Sequence, residues 1–345
     1  MLTRILVRTP NWLGDAVMSL PALRILRAQL PRAHLTVHAR RWVAGLYARE
    51  TCVDDVLIYA ARPAAADWAG RWRAARELAA RGFDAALLLP NSFDAALVAW
   101  LARIPRRIGY ARDLRGPLLT DPIPPPRRGE IPPHQRHYYL ELVRRAGWTS
   151  ARASDGPILL DGVQRARAAG RERWSSLKVA TDVVGVSPGA AFGGAKRWPA
   201  ERFGEAAAQL ARELGGAVAV FGSAQERALA EVVERTAAAR GAPVLNLAGQ
   251  TSLEEFIELT AACRLFLTND SGAMHVAAAL DVPTVAIFGS TDPEVTGPAG
   301  PRACLVRTPV ECSPCLLREC PIDHRCMLGV SVQEVVHAAR RLLSR

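Results

Sequence analysis

The sequence predicts an α/β protein of two Rossmann-like domains, each a parallel sheet with helices on both faces. Three observations lead there. Short apolar runs alternate with helical patterns twice over, once in each half of the 345 residues, and such alternation builds parallel sheets through crossover helices. A chain of this length is long for one hydrophobic core. Polar, Gly-containing clusters follow several of the apolar runs, at the strand ends where doubly wound sheets bind ligands, so the two sheets are expected to face a shared cleft.

The elements follow in order. Residues 4–7 contain Ile5, Leu6 and Val7, the continuous apolar run of a strand covered on both faces. Similar runs at 35–39, 56–58 and 85–89 are the next strands, and helical spacing predicts helices over 22–30, 71–81 and 93–102. The stretch 122–133 holds six prolines and reads as a loop or lid. Residues 161–178 read as one amphipathic helix leading into the second domain, which puts the boundary near 165–180. The domains are then 1–170 and 171–345, the latter with a Cys-rich tail and a terminal helix. In the second domain 183–186, 217–221, 244–246, 265–268 and 284–288 read as strands, with helices over 202–214, 225–239 and 253–262.

Composition narrows the function. The most apolar region, 83–102, is interrupted by Pro90, Asn91 and Asp94, so no membrane span is expected. The N-terminus enters a strand directly instead of a signal peptide, which points to a cytosolic protein. The net charge of +11 lies wholly in the first half: residues 1–150 carry 23 Arg against 12 Asp and Glu, while 151–345 carry 21 of each sign. A basic first half implies an anionic partner, whether nucleic acid, a phosphorylated glycolipid or an acidic membrane face. A solvated Arg-rich surface is the alternative, and it leaves the balanced second half unexplained.

The polar clusters carry the chemistry. After the first strand comes Thr9-Pro10-Asn11-Trp12-Leu13-Gly14-Asp15. Gly14 permits close backbone approach to a ligand, and Asp15 reads either as a helix-start cap or as a general base. The second domain opens with a strand and then Ser187-Pro188-Gly189-Ala190-Ala191-Phe192-Gly193-Gly194-Ala195-Lys196-Arg197, a small-residue loop whose N–H groups and terminal cations suit a pyrophosphate. It is neither a Walker A loop nor GxGxxG, which argues against an NAD-dependent oxidoreductase. Lysine occurs only as Lys178 and Lys196 beside 42 Arg, which singles out the ammonium in this loop. Glu226 reads as an ordinary first-turn acid or as an acceptor for ribose hydroxyls. Asp270, Ser271 and Gly272 begin a helix with His275 one turn later. That start suits an anion or a sugar hydroxyl; the plainer reading is an N-cap with a His on the polar face.

Four of the seven cysteines, Cys312, Cys315, Cys320 and Cys326, form a C-x2-C-x4-C-x5-C run near His324. Such a run reads either as a structural zinc site or as reduced, packed thiols, since a cytosolic location disfavours disulfides.

The segments Asn11–Asp15, Leu89-Pro90-Asn91-Ser92-Phe93, Pro188–Pro199 and Thr268–His275, in this order and spacing, resemble the ADP-heptose:lipopolysaccharide heptosyltransferase family. The PNSF and PGAxFGxAKRWP forms are similar to its type II branch, and the resemblance runs from about residue 3 to 300. It implies a GT-B fold, with the acceptor on the N-terminal domain and the nucleotide sugar on the C-terminal one. It also implies inverting, metal-independent transfer of heptose from ADP-heptose to the inner core of lipopolysaccharide, with no cofactor. By position, Asp15 matches the family's catalytic base. Lys196, Asp270, Ser271, Gly272, His275 and, less closely, Glu226 match donor-binding positions; Asn11, Trp12, Gly14 and Asn91 fall on the acceptor side. Ala191-Phe192 replaces the hydroxyl residues of type I relatives, leaving backbone donors there.

The implied partners are ADP-heptose, a phosphorylated lipid A-core acceptor and the cytosolic face of the inner membrane, on which the protein would be peripheral. The rival readings are a GT-B transferase using another nucleotide sugar and a basic nucleic-acid binder. The latter is disfavoured because residues 1–150 show few paired aromatics and no helix-turn-helix signal.

Overall fold

Continuous apolar runs become strands buried on both faces, as in Ile5–Arg8, Ala85–Leu88 and Val183–Ser187. The computed structural model describes residues 2–61, 67–150, 155–179 and 182–344. They divide into two units, Met1–Asp155 and Gly156–Arg345.

The first unit runs β1 (Arg4–Arg8), α1 (Leu13–Gln29), β2 (His34–Ala39), α2 (Arg41–Tyr47), β3 (Asp55–Ile58), α3 (Trp68–Ala80), β4 (Ala85–Leu88), α4 (Phe93–Leu101), β5 (Arg106–Tyr110), β6 (Asp121–Ile123) and α5 (Gln135–Arg145). Its six strands are all parallel, in the order β3-β2-β1-β4-β5-β6. The direction of winding reverses between β1 and β4, and the crevice at the carboxyl ends of those strands is where doubly wound sheets bind ligands. Leu6, Leu57, Leu78, Phe83, Leu88 and Ile104 fill the core between this sheet and the α3–α4 layer.

The second unit runs α6 (Val163–Ser176), β7 (Val183–Ser187), α7 (Ala200–Leu214), β8 (Ala217–Val220), α8 (Arg227–Ala238), β9 (Val244–Asn246), α9 (Leu253–Ala261), β10 (Leu265–Asn269), α10 (Gly272–Ala279), β11 (Thr284–Ile287), α11 (Pro293–Thr296), β12 (Ala303–Val306), α12 (Arg325–Leu328) and α13 (Val332–Leu343). Its strand order, β12-β11-β10-β7-β8-β9, repeats the first sheet's winding, with the reversal between β7 and β10. On α7, Phe203, Ala206, Ala207, Leu210 and Ala211 recur at helical spacing and are buried, so one stripe faces the sheet. Capping boxes start α9 (Ser252 with Glu255) and α13 (Ser331 with Glu334).

Several expectations are corrected. α1 begins at Leu13 and continues through Pro21, where a helix start after the proline was expected. Its buried row of Ala16, Val17, Leu20, Leu23 and Leu26 outweighs one missing backbone bond. Strands β5, β6 and β12 are additional: β5 opens on two arginines, β6 carries Pro122 at the sheet edge, and β12 is half exposed. β6 also takes the first residues of the proline-rich stretch out of the expected loop. Helices α2 and α5 are additional too.

The unit boundary falls between Asp155 and Gly156, ahead of the expected 165–180. The reason is α6, which packs on α9 of the second unit. Arg173 Nε donates to Glu258 Oε2 at 2.6 Å, Trp174 Nε1 donates to Leu259 O at 3.1 Å, and a Cβ on Gly170 would overlap the Glu258 carbonyl. Gly170→Ala is therefore expected to lower stability by about 1–3 kcal/mol, by forcing two helices apart. Urea unfolding of the purified variant measures this, and an unchanged midpoint would contradict the close packing.

Candidate functional site

In the first unit the sequence-predicted residues gather at the winding reversal. Asn11, Trp12, Gly14 and Asp15 lie on the loop and first turn that follow β1; Asn91 follows β4, the adjacent strand. Two consecutive tyrosines of α5 reach both places. Tyr139 hydroxyl donates to Asp15 Oδ1 at 2.9 Å, and Tyr138 hydroxyl accepts from Asn91 Nδ2 at 2.9 Å. Burial, and then the Asp15 charge, hold the Tyr139 hydroxyl well above its ordinary value, so it stays a donor. Asn91 is tied further to Arg115, whose Nη2 donates to Asn91 Oδ1 at 3.4 Å.

The β1 loop is braced from below by buried cations. Arg8 Nη1 donates to Thr9 O (2.6 Å) and His38 O (3.1 Å), and its Nη2 donates to Asn11 Oδ1 (2.7 Å). Trp42 Nε1 donates to Asn11 O at 2.7 Å. The Tyr59 ring lies 4.8 Å from the Arg8 guanidinium and 4.3 Å from that of Arg40. Burial, then the Arg40 charge, bring Arg8 down to about 10, so it remains a cation. Burial and these two cations push His38 well below its ordinary value, which keeps its ring neutral.

In the second unit one strand end organises the Gly-rich loop. Asn269, fully buried at the end of β10, donates through Nδ2 to Pro188 O (2.7 Å) and accepts from Trp198 N (3.0 Å), so it fastens both ends of the loop. The next residue, Asp270, is 4% exposed; its Oδ2 accepts from Lys196 Nζ at 2.6 Å and from Thr291 Oγ1 at 2.6 Å. Lys196 also stands 4.9 Å from the Phe192 ring. Ser271 and Gly272 start α10, with Ser271 Oγ 3.2 Å from Thr268 Oγ1. The loop N–H groups, the α10 start and the Lys196 ammonium together make a place that can hold an anion.

Glu226 has its ordinary first-turn duty. Its Oε2 accepts from Ser223 N (2.8 Å) and Ser223 Oγ (2.9 Å) in a capping box, while the carboxylate lies against Gly189. His275 is 4% exposed, which sets aside the plainer reading of a ring on the polar face. α10 lies between β10 and β11 neighbours and is buried from Met274 onward.

The contributors that escaped the sequence reading include Arg8, Trp42, Arg115, Tyr138, Tyr139, Thr291 and the tail segment around Arg318. Arg318 O accepts from Ala195 N (2.9 Å), Glu319 Oε1 accepts from Gly194 N (2.9 Å), and His324 Nε2 lies 3.1 Å from Ala195 O. A Cβ on Gly193 would overlap the Arg318 carbonyl, so the tail closes on the loop only because that position is glycine. The Arg318 guanidinium lies 5.4 Å from the same Phe192 ring that Lys196 approaches, so two cations share one aromatic neighbour.

Of the two readings of the cysteine run, the structure does not support the zinc site. Among the described residues no group of three or more His, Cys, Asp or Glu side chains could hold a metal ion. Cys312 and Cys315 are exposed and Cys326 is buried. Burial first, and then the neighbouring Cys312, Cys315 and Cys320, raise the Cys326 thiol.

Lys196→Ala leaves the Asp270 carboxylate buried without its cation and is expected to cost about 3–5 kcal/mol of stability, part of which Asp270→Asn in the same chain restores. Thermal and urea unfolding of the two single variants and the double variant measure that coupling.

Residues 71–325 match the family model for glycosyltransferase family 9 (heptosyltransferase). The chain is 36% identical over 309 residues, 88% of each protein, to lipopolysaccharide heptosyltransferase 2 of Escherichia coli K12. It is 35% identical over 308 residues, again 88% of each, to the protein of the same name from Salmonella typhimurium LT2. The solved structure of E. coli ADP-heptose lps heptosyltransferase II matches with a TM-score of 0.82 at 29% identity, over 99% of each chain. Two doubly wound units in this arrangement of strands are the GT-B architecture, and the chain belongs to glycosyltransferase family 9, the heptosyltransferases.

Proposed function

We propose that this glycosyltransferase is a type II enzyme that moves heptose from ADP-L-glycero-D-manno-heptose to the inner-core heptose of lipopolysaccharide. The first unit takes the phosphorylated, lipid-linked acceptor and the second takes the ADP-sugar. The observation that carries this reading is the placement of Asp15 at the winding reversal, with Oδ1 held by a tyrosine that stays protonated.

Transfer is a single inverting displacement. An acceptor hydroxyl oxygen bonds to the anomeric carbon, the bond from that carbon to the diphosphate oxygen breaks, and the hydroxyl proton passes to Asp15. ADP leaves with the bonding electron pair. Lys196, Arg318 and the N–H groups of the Gly-rich loop and of Ser271–Gly272 meet the charge that grows on the diphosphate. Asp270 orients the Lys196 ammonium, Glu226 borders the loop beside the ribose, and His275 supports the helix under the sugar. On the acceptor side Asn11, Trp12, Gly14 and Asn91 shape the loops around Asp15. The protein works as a peripheral enzyme at the cytosolic face of the inner membrane; no helix of the described residues is long and apolar enough to cross a membrane.

Incubation with ADP-heptose and heptose-Kdo2-lipid A should add the mass of one heptose to the acceptor; a panel of other nucleotide sugars should not support transfer. Asp15→Asn should cut turnover by about 10²–10⁴-fold while calorimetric ADP-heptose binding is retained. Weakened binding with normal residual turnover would sink the base assignment. Tyr139→Phe should lower kcat by roughly 10- to 100-fold through misplacement of Asp15, with KM for ADP-heptose unchanged. Parallel losses in kcat and donor binding would mark Tyr139 as merely structural.

A further inference from the structure

The first unit exposes several large aromatic side chains, of which only Trp12 and Trp42 take part in the site described above. Five of the eight tryptophans are more than 45% exposed, namely Trp12, Trp42, Trp68, Trp72 and Trp100, and all five belong to this unit. Four of them, with Phe93 and Leu114, lie just beyond the carboxyl ends of strands. Trp12 follows β1, Trp42 opens α2 after β2, Trp68 and Trp72 lie in the first turns of α3 after β3, Phe93 opens α4 after β4, and Leu114 is in the loop after β5.

In the spatial order β3-β2-β1-β4-β5, the loop or helix start that follows each of these five neighbouring strands carries an exposed large apolar side chain. At ~4.8 Å between strands the row is about 20 Å long.

Leu114 is the most telling member, at 91% exposure. Asp113 and Leu114 adopt φ of 51° and 59°, a left-handed conformation that aspartate tolerates and leucine disfavours. The fully buried Arg115 enforces it: Nε donates to Tyr110 O at 2.8 Å and Nη1 donates to Pro90 O. A strained loop is thus anchored so that a leucine points into water, which serves neither stability nor solubility. Exposed arginines share the edge: Arg41, Arg73, Arg112, Arg127 and Arg128, none of them ion-paired among the described residues.

Interfacial tryptophans, a protruding aliphatic side chain and unpaired arginines are the inventory of a surface that seats at the headgroup level of an anionic bilayer. A sugar ligand would use the rings but gives no role to Leu114.

We propose that the carboxyl edge of the first unit's sheet is a membrane-docking rim that seats on an anionic phospholipid surface through Trp42, Trp68, Trp72, Leu114 and the flanking arginines. The proposal rests on the reading of a lipid-linked acceptor and names the surface that brings the enzyme to it. Docking on this edge presents the Asp15 loop to the same membrane that holds the acceptor.

The test is flotation of the full chain with vesicles of phosphatidylcholine alone or mixed with phosphatidylglycerol, at low and high salt. Alongside it, transfer is assayed to a deacylated, water-soluble acceptor. Wild type should float with the anionic vesicles and lose binding in high salt. Leu114→Ser, which removes a side chain that supports no packing, and the double variant Trp68→Ala/Trp72→Ala should each reduce the bound fraction about fivefold or more and keep transfer to the soluble acceptor.

Wild type that stays with the soluble fraction, or variants that float like wild type, would overturn the proposal. Equal loss of transfer to the soluble acceptor would also overturn it, since the rim would then be a sugar-binding surface. Vesicle binding by a wild-type chain that transfers nothing would sink the activity reading and still support the rim.

Discussion

A parallel sheet built by crossover helices puts all strand carboxyl ends on one edge, and the rest of this molecule depends on that constraint. The two sheets wind in the same order, so each has one reversal where adjacent strands send their helices to opposite faces. The loops that leave those strands cannot be filled by a crossing helix. They are the places where polar side chains can face a ligand without weakening the core. Asp15 and Asn91 flank the reversal in the first unit; the Gly-rich loop and Asp270 flank it in the second.

Within that frame the two sites are held by different means. In the first unit helix α5 lies against α1 and sends Tyr138 and Tyr139 to two separate loops, so one rigid helix sets the distance between them. In the second unit the bracing comes from a strand end. Asn269 ties both ends of the loop and Asp270 grips its lysine, so two adjacent residues fix eleven others. The Lys196 ammonium is thus matched by a buried carboxylate, while Arg318 stands as a further cation against the Phe192 ring.

Much of this was legible because the relevant signals are local. A continuous apolar run followed by a small-residue or polar cluster identifies a strand end, and Asp15, Lys196 and Asp270 were found that way. The strands that escaped, β5, β6 and β12, are those in which Arg, Pro or partial exposure replaces the apolar run, because edge and near-edge strands are not enclosed on both faces. Helix α5 escaped because its buried positions include Arg136 and His137 beside Tyr139, Leu142 and Val143, which breaks the apolar spacing.

The sequence by itself determined the α/β class, the two-fold repetition of the domain plan, the confinement of basic charge to the first half and the polar clusters that follow the strands. Each of these is written in residue order within a few turns. Tertiary structure alone decided which distant groups meet them. Tyr139 reaches Asp15 across 124 residues, and Glu319 reaches Gly194 across 125. It also decided that the four tail cysteines form no metal-ligand group among the described residues, that α6 belongs with the second unit, and that segments carrying four exposed tryptophans follow neighbouring strands. The physical reason is common to all of these: side-chain partners across a sheet are set by strand order and helix packing, which spacing along the chain does not encode.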